Sequence, residues 1–415
     1  MRRALPTVPA AVRAALALPV AAALALAGLT GSAAGTAPAP GSVPPDQDPF
    51  YAAPAGIGAY APGAVVASRR ITPKAGPAPD AVTAWQISYR TNDSHDRPEL
   101  AVTTLLVPVA AWPGPGPRPV VSVQAAEDST GTQCAPSYGV ASGIGDAASN
   151  VNYATPFLDK GWTVAMPDFE GPKSVFMGGV QAGHAVLDGI RAVKNFNAAR
   201  SGGVGAGGPW ALSGYSGGAQ ATGWAAQLQP SYAPDVTLVG AAMGGTPADP
   251  AAVARWLDGG PFAGFQAAAI VSLDAEYPDA GLASYLNAQG RAALERARGK
   301  CLSELAGSDP FARLTDYTGL PDPLSLPPVA KVLKENTLGA AAPATPVYDY
   351  MAATDEIVPL WQAETLFRAW CAKGATIRKA RDLVGEHVLE YYVRKNAAVD
   401  FLTDRFAGKP VRSSC

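Results

Sequence analysis

The chain has 415 residues, with 34 acidic and 32 basic side chains and a formal net charge of −2. That balance excludes a nucleic-acid binder built on a basic face. The length excludes a small disulfide-framed scaffold and leaves room for one large domain with an insertion, or for two domains.

Residues 1–34 read as a secretory signal: Arg2, Arg3 and Arg13 supply the positive start, Ala14–Thr30 the apolar run and Ser32-Ala33-Ala34 the small residues for cleavage. The run is too short and too interrupted, by Pro19, for a membrane anchor. The mature chain is therefore expected to be secreted, extracellular and monomeric. Residues 35–49 form a Pro-rich N-terminal leader expected to lie extended on the domain.

Next come short β-branched or apolar runs bounded by turn residues: Trp85–Arg90, Ala101–Val107, Val120–Val123 and Trp162–Met166. Thr91–Glu99 reads as the hairpin turn between the first two. A helical segment at His184–Ala198 precedes a strand at Trp210–Leu212, a helix at Ala219–Gln229 and a strand at Val236–Ala242. After Pro247 the spacing turns helical over Asp249–Leu257, Phe265–Leu273 and Ala280–Ala306, with Pro310–Pro328 as a connector. The strand at Val347–Ala352, the helix at Pro359–Ala372 and the strand at Ile377–Leu383 resume the alternation. The pattern predicts an α/β fold with a mostly parallel central sheet. Residues 50–248 and 341–415 form its two parts, and 249–340 an inserted helical cap, because the sheet resumes after them.

The chain has four cysteines, Cys134, Cys301, Cys371 and Cys415, and an even count in an exported chain points to two disulfides. Three pairings are open. Cys134–Cys301 with Cys371–Cys415 is favoured, because the second bridge ties down an otherwise loose C-terminal segment.

Gly214-Tyr215-Ser216-Gly217-Gly218 is the one GxSxG in the chain. Gly is near a tenth of all residues, so the pentapeptide alone is weak. Its context strengthens it, since it lies between an expected strand and an expected helix, as a nucleophile elbow requires. Gly214 and Gly218 would permit the sharp turn, and the Gly217 N–H would face an oxyanion. In such an elbow the order is serine, acid, histidine. Of the three histidines, His95 and His184 precede Ser216, which leaves His387 as the base. His95 is expected on the surface and His184 at the opening of its helix. Asp355, just past the strand Val347–Ala352, is the expected acid; the neighbouring Glu356 should point the other way. Asp128, in the loop after Val120–Val123, is the candidate for the second part of an oxyanion hole. Gly203–Gly208 matches a dinucleotide fingerprint but precedes a strand, and no residue cluster has metal-ligand spacing, so no cofactor or metal is expected.

Further segments are Asp48-Pro49-Phe50-Tyr51, Ala126-Glu127-Asp128-Ser129, Pro167-Asp168-Phe169-Glu170-Gly171-Pro172, Gly183-His184-Ala185, Gly244-Gly245-Thr246-Pro247 and Asp355-Glu356-Ile357-Val358-Pro359. With Gly214–Ala219, they resemble the secretory lipase family of the α/β-hydrolase fold, the yeast lipase A-like group. The resemblance implies a Ser216–Asp355–His387 triad, an oxyanion hole at Asp128 and Gly217, and a cap over the serine. The chain after His387 is short beside yeast members, which carry a flap there.

The expected activity is ester hydrolysis through an acyl-enzyme, on acylglycerols or simple esters, with transient contact with a lipid interface. The apolar residues Trp256, Phe262 and Phe265 would face the acyl chain. A same-fold acyltransferase or peptidase and a non-catalytic lipid carrier are the alternatives. The sequence around the elbow shows no acidic cluster, which counts against a peptidase.

Overall fold

The computed structural model describes residues 38–415; the expected signal segment and the first three residues of the leader lie outside the described residues. In chain order these residues form β1 (Val65–Ile71), β2 (Val82–Asn92), β3 (Pro98–Pro108) and β4 (Val120–Gln124). Three short helices follow, α1 (Pro136–Ser142), α2 (Gly145–Ser149) and α3 (Thr155–Leu158). Then β5 (Thr163–Pro167), α4 (Gly179–Ala198), β6 (Trp210–Tyr215), α5 (Gly217–Tyr232) and β7 (Leu238–Gly244) alternate. Between β7 and the next strand the chain is helical: α6 (Pro250–Leu257), α7 (Gly264–Glu276), α8 (Ala288–Ala297), α9 (Leu302–Ala306), α10 (Leu314–Thr318) and α11 (Pro327–Glu335). The last elements are β8 (Val347–Ala352), α12 (Leu360–Ala372), β9 (Ile377–Asp382) and α13 (His387–Phe406).

The strands make one nine-stranded sheet in the order β1-β2-β3-β5-β4-β6-β7-β8-β9. β1, β2, β3 and β5 pair antiparallel, and from β5 to β9 every pairing is parallel. Strands β4, β5 and β6 are buried along their whole length. That is why they appear in the sequence as continuous apolar runs, as strands covered by helices on both faces must. The parallel arrangement sends the C-terminal ends of β4, β6 and β8 to one edge of the sheet, where the loops carrying Asp128, Ser216 and Asp355 leave it. Both edges are blunted. β1 carries Arg69 and Arg70, and β9 is overlaid by the chain end: Ser414 N–H donates to the Ile377 carbonyl, and Lys379 N–H donates to Ser414 Oγ at 3.0 Å.

Some elements differ from expectation for local reasons. β1 was not expected, because its exposed Ser68 and Arg70 break the apolar pattern of a strand that needs only one covered face. Helix α4 begins at Gly179, so His184 lies inside it, not at its opening. Its first turn is capped from a distance, the Gly179 N–H donating to Asn336 Oδ1 at 2.8 Å. Ala280–Ala306 is not one helix: Gly281 and Gly299 adopt positive φ, and the stretch breaks into one 3-10 turn (Leu282–Tyr285), α8 and α9. The Pro-rich connector contains α10, and the start of α11 falls at its end, with Pro327 and Pro328 in that helix's first turn, where proline is tolerated.

Two disulfides join Cys134 to Cys301 and Cys371 to Cys415, each with Cα atoms 5.4 Å apart. The first ties the segment after β4 to the N-terminus of α9. Beside it Thr130 N–H donates to the Lys300 carbonyl at 3.0 Å, and Gln133 Nε2 to the Gly299 carbonyl at 2.7 Å.

Candidate active site

Ser216 sits at the tip of the turn between β6 and α5 with φ 56° and ψ −127°, a conformation that costs a non-glycine residue energy. The turn closes only because its neighbours are glycines. A Cβ on Gly218 would overlap the Gln124 carbonyl, and one on Gly214 would overlap the carbonyl of Gly218. The Ser216 N–H donates to the Gly244 carbonyl at 2.9 Å, anchoring the turn to β7.

The structure brings Ser216, His387 and Asp355 into one line. His387 Nε2 lies 2.8 Å from Ser216 Oγ, and His387 Nδ1 lies 2.6 Å from Asp355 Oδ2. The other carboxylate oxygen of Asp355 accepts the N–H groups of Ile357 at 3.0 Å and Val358 at 2.7 Å, which fixes its orientation. Both His387 and Asp355 are buried. Burial pulls the His387 pKa down, but the hydrogen bond and charge of Asp355, with charge from Glu356 and Asp128, raise it overall above the ordinary histidine value.

His387 is also held by its main chain. Its N–H donates to Glu356 Oε2 at 3.0 Å, and its carbonyl accepts the Tyr215 hydroxyl. Glu356 therefore does not point away: the turn that aims Asp355 at the imidazole folds Glu356 onto the histidine backbone.

Asp128 lies against the nucleophile turn in a positive-φ conformation (φ 40°). A Cβ on Gly217 would overlap Asp128 Oδ1, and that oxygen is buried without a hydrogen-bond partner. Burial raises its carboxyl pKa to about 6, against the pull of the His387 charge and the Gly217 N–H. Around it stands a buried acidic group that sequence reasoning missed, Glu127, Asp168 and Glu170. Asp168 accepts the Ser137 N–H at 2.9 Å, and Glu170 accepts the Ser129 hydroxyl at 2.8 Å. Burial pushes Asp168 up to about 7 and raises Glu127 and Glu170 as well. The elbow thus has an acidic cluster after all, and its members had been visible as Glu127-Asp128 and Asp168–Glu170. Only Asp128 of the four lines the cavity in front of Ser216.

That cavity, of about 490 Å³, runs from Ser216 and His387 into the insertion between Phe176, Phe265, Ile270, Leu286, Val332 and Leu333. Its size is that of a small-molecule site. Phe262 and Phe265 line it, but Trp256 does not: half its surface is exposed, and its indole N–H donates to the Glu356 carbonyl at 3.0 Å. Tyr391 and Tyr392 also line the cavity. The remaining histidines stand apart. His184 is buried and stacked on Tyr232 with ring centroids 4.0 Å apart, and His95 is exposed beside Tyr277. No group of three or more possible metal ligands occurs among the described residues.

A profile of the secretory lipase family matches residues 147–414. The chain belongs to the secretory lipase family. Its relatives within that family include Lipase A of Moesziomyces aphidis, 35% identical over 89% of this chain and 82% of the relative. A probable inactive lipase of Mycobacterium tuberculosis is 36% identical, over 88% of this chain and 83% of that one. The closed-state crystal structure of Candida antarctica lipase A superposes with a TM-score of 0.82 at 33% identity, covering 90% of this chain and 89% of that one. The fold is that of an α/β-hydrolase.

Proposed function

We propose that this secretory lipase is an exported serine ester hydrolase that works through an acyl-enzyme. The observation that carries the reading is the continuous hydrogen-bonded line Ser216–His387–Asp355 at the mouth of an apolar cavity. His387 Nε2 takes the Ser216 proton as Oγ attacks the ester carbonyl, and Asp355 holds the Nδ1–H and stabilises the imidazolium. The oxyanion forms against the Gly217 N–H and Asp128. In its neutral form the Asp128 carboxyl can donate a hydrogen bond to that oxygen; ionised, it would repel it. His387 then protonates the departing alcohol, and water repeats the sequence on the acyl-enzyme.

A secreted triacylglycerol lipase of Malassezia globosa is 33% identical over 89% of this chain and 80% of that one. This supports acylglycerols as the substrate class, with the insertion acting as a cap around the acyl chain. The two disulfides suit an extracellular setting.

The inactive name given to one relative favours a second reading, a carrier that keeps the fold without chemistry. Hydrolysis of p-nitrophenyl acetate through p-nitrophenyl palmitate decides between them. Wild type should turn these esters over, and Ser216→Ala should lose on the order of a million-fold in kcat. Wild type should also be labelled at Ser216 by a fluorophosphonate. A wild type that neither hydrolyses any of the esters nor reacts with the label is a carrier.

A further inference from the structure

The first two turns of α13 are inside out. Val388 with Tyr392, and Leu389 with Val393, form two adjacent stripes at helical spacing, and all four are at least half exposed. The polar residues of the same turns face the protein: Glu390 is buried, and Arg394 pairs with Asp382. The preceding loop adds Leu383 and Val384, each 84% exposed. Six of the twelve large apolar side chains exposed among the described residues thus fall between 383 and 393. A helix facing water carries its polar side outward, so this face is built to be covered by something apolar.

We propose that the His387 loop and the first two turns of α13 are the surface by which the protein docks on a neutral lipid layer. The insertion is not that surface. Continuity identifies the occupant: Val388 and Tyr392 belong both to the exposed face and to the lining of the cavity in front of Ser216. A lipid layer resting there delivers its molecules straight into that cavity, whereas a tightly bound protein would stopper it. Charge narrows the lipid. Arg394 is neutralised by Asp382, Lys395 Nζ lies over the Tyr392 ring at 5.1 Å, Glu386 is exposed at the α13 N-terminus, and the chain carries net charge −2. Nothing in this face selects anionic headgroups; apolar area alone supplies the attraction. The insertion, by contrast, turns most of its large apolar side chains inward, leaving Trp256 and Phe311 as its large exposed ones. Docking therefore needs no opening of the insertion.

Naming the lipid as a substrate source rests on the ester-hydrolase reading, but the docking itself does not, so the test uses Ser216→Ala protein. This protein should co-float with phosphatidylcholine vesicles containing trioleoylglycerol, and added salt should leave the binding unchanged. Combining Leu383→Ser, Val384→Ser, Leu389→Ser and Val393→Ser, none of which lines the cavity, should lower the partition coefficient at least about tenfold. The same four changes in active protein should leave turnover of soluble p-nitrophenyl acetate intact. Tyr60→Ser with Val109→Ser, exposed apolar sites outside the face, should leave vesicle binding as it was. The proposal is overturned if the fourfold variant binds like the parent, if the control variant loses binding equally, or if only anionic vesicles are bound and salt releases them. It is also overturned if the parent is a dimer that the fourfold variant turns into a monomer, since a second copy would then be the occupant. Turnover that survives Ser216→Ala would sink the ester-hydrolase reading and leave the docking result standing.

Discussion

Glu356 separates two things a carboxylate does for a neighbouring histidine: it holds the His387 N–H, and its charge helps raise the imidazole pKa. Glu356→Gln keeps an oxygen acceptor at that N–H and removes the charge. It should retain most of kcat while the acid limb of the kcat/KM profile moves to lower pH, because His387 then loses its proton at lower pH. Glu356→Ala removes both and should cost roughly a further fivefold, the worth of one hydrogen bond between neutral groups. A pH profile of both variants checks this; identical profiles with equal losses would mean that Glu356 only supports the fold. At this scale the positions of Ser216, Asp355 and His387 were legible, because chain order left one histidine and a strand end left one acidic pair. The direction of Glu356 was not. It depends on the turn made when Ile357 and Val358 donate to Asp355, and no side-chain spacing encodes that turn.

Among the elements, the two disulfides do different work. Cys371–Cys415 spans 44 residues and pins the chain end; a loop of that size corresponds to about 4 kcal/mol in the chain-entropy view. Replacing both cysteines by serine should lower the melting temperature and leave short-ester turnover unchanged. Cys134–Cys301 instead joins the segment that follows Asp128 to the insertion. Its loss should lower both the melting temperature and kcat/KM, measured by calorimetry and by p-nitrophenyl butyrate hydrolysis. Equal kinetic effects from the two pairs would refute that division. The parallel strands were legible as elements because burial on both faces makes them continuous apolar runs. The insertion was legible only as helical. Its breaks at Gly281 and Gly299, and the cap that α11 residue-neighbour Asn336 lends to α4, are set by contacts between segments far apart in sequence.

For the molecule as a whole, the buried carboxyls set how stability responds to pH. Burial raises Glu99 to about 7, Asp168 to about 7 and Asp128 to about 6, and raises Glu127 and Glu170 as well. A carboxyl with a higher pKa folded than unfolded contributes stability that is fully present below its unfolded value. That value is 3.8 for Asp and 4.5 for Glu, and the contribution is lost as pH rises through the folded value. Asp188, Asp349, Glu390 and His387, also raised on folding, act in the same sense, and His184, whose pKa burial lowers, works in the opposite one. The melting temperature should therefore be highest near about pH 5 and fall toward about pH 8 at constant ionic strength, as thermal scans would show. A flat or rising profile would contradict this. None of it was legible beforehand, since Glu127-Asp128 and Asp168–Glu170 become a cluster only when the ends of β4 and β5 lie side by side. The covering of β9 by the chain end carries a consequence of another kind. Ser414 occupies hydrogen-bonding groups that an edge strand otherwise offers to any passing strand, and Cys415 keeps it there. Reduction of that one bridge unmasks the edge, so in a thiol-rich compartment the folded chains acquire a site for strand-to-strand polymerisation.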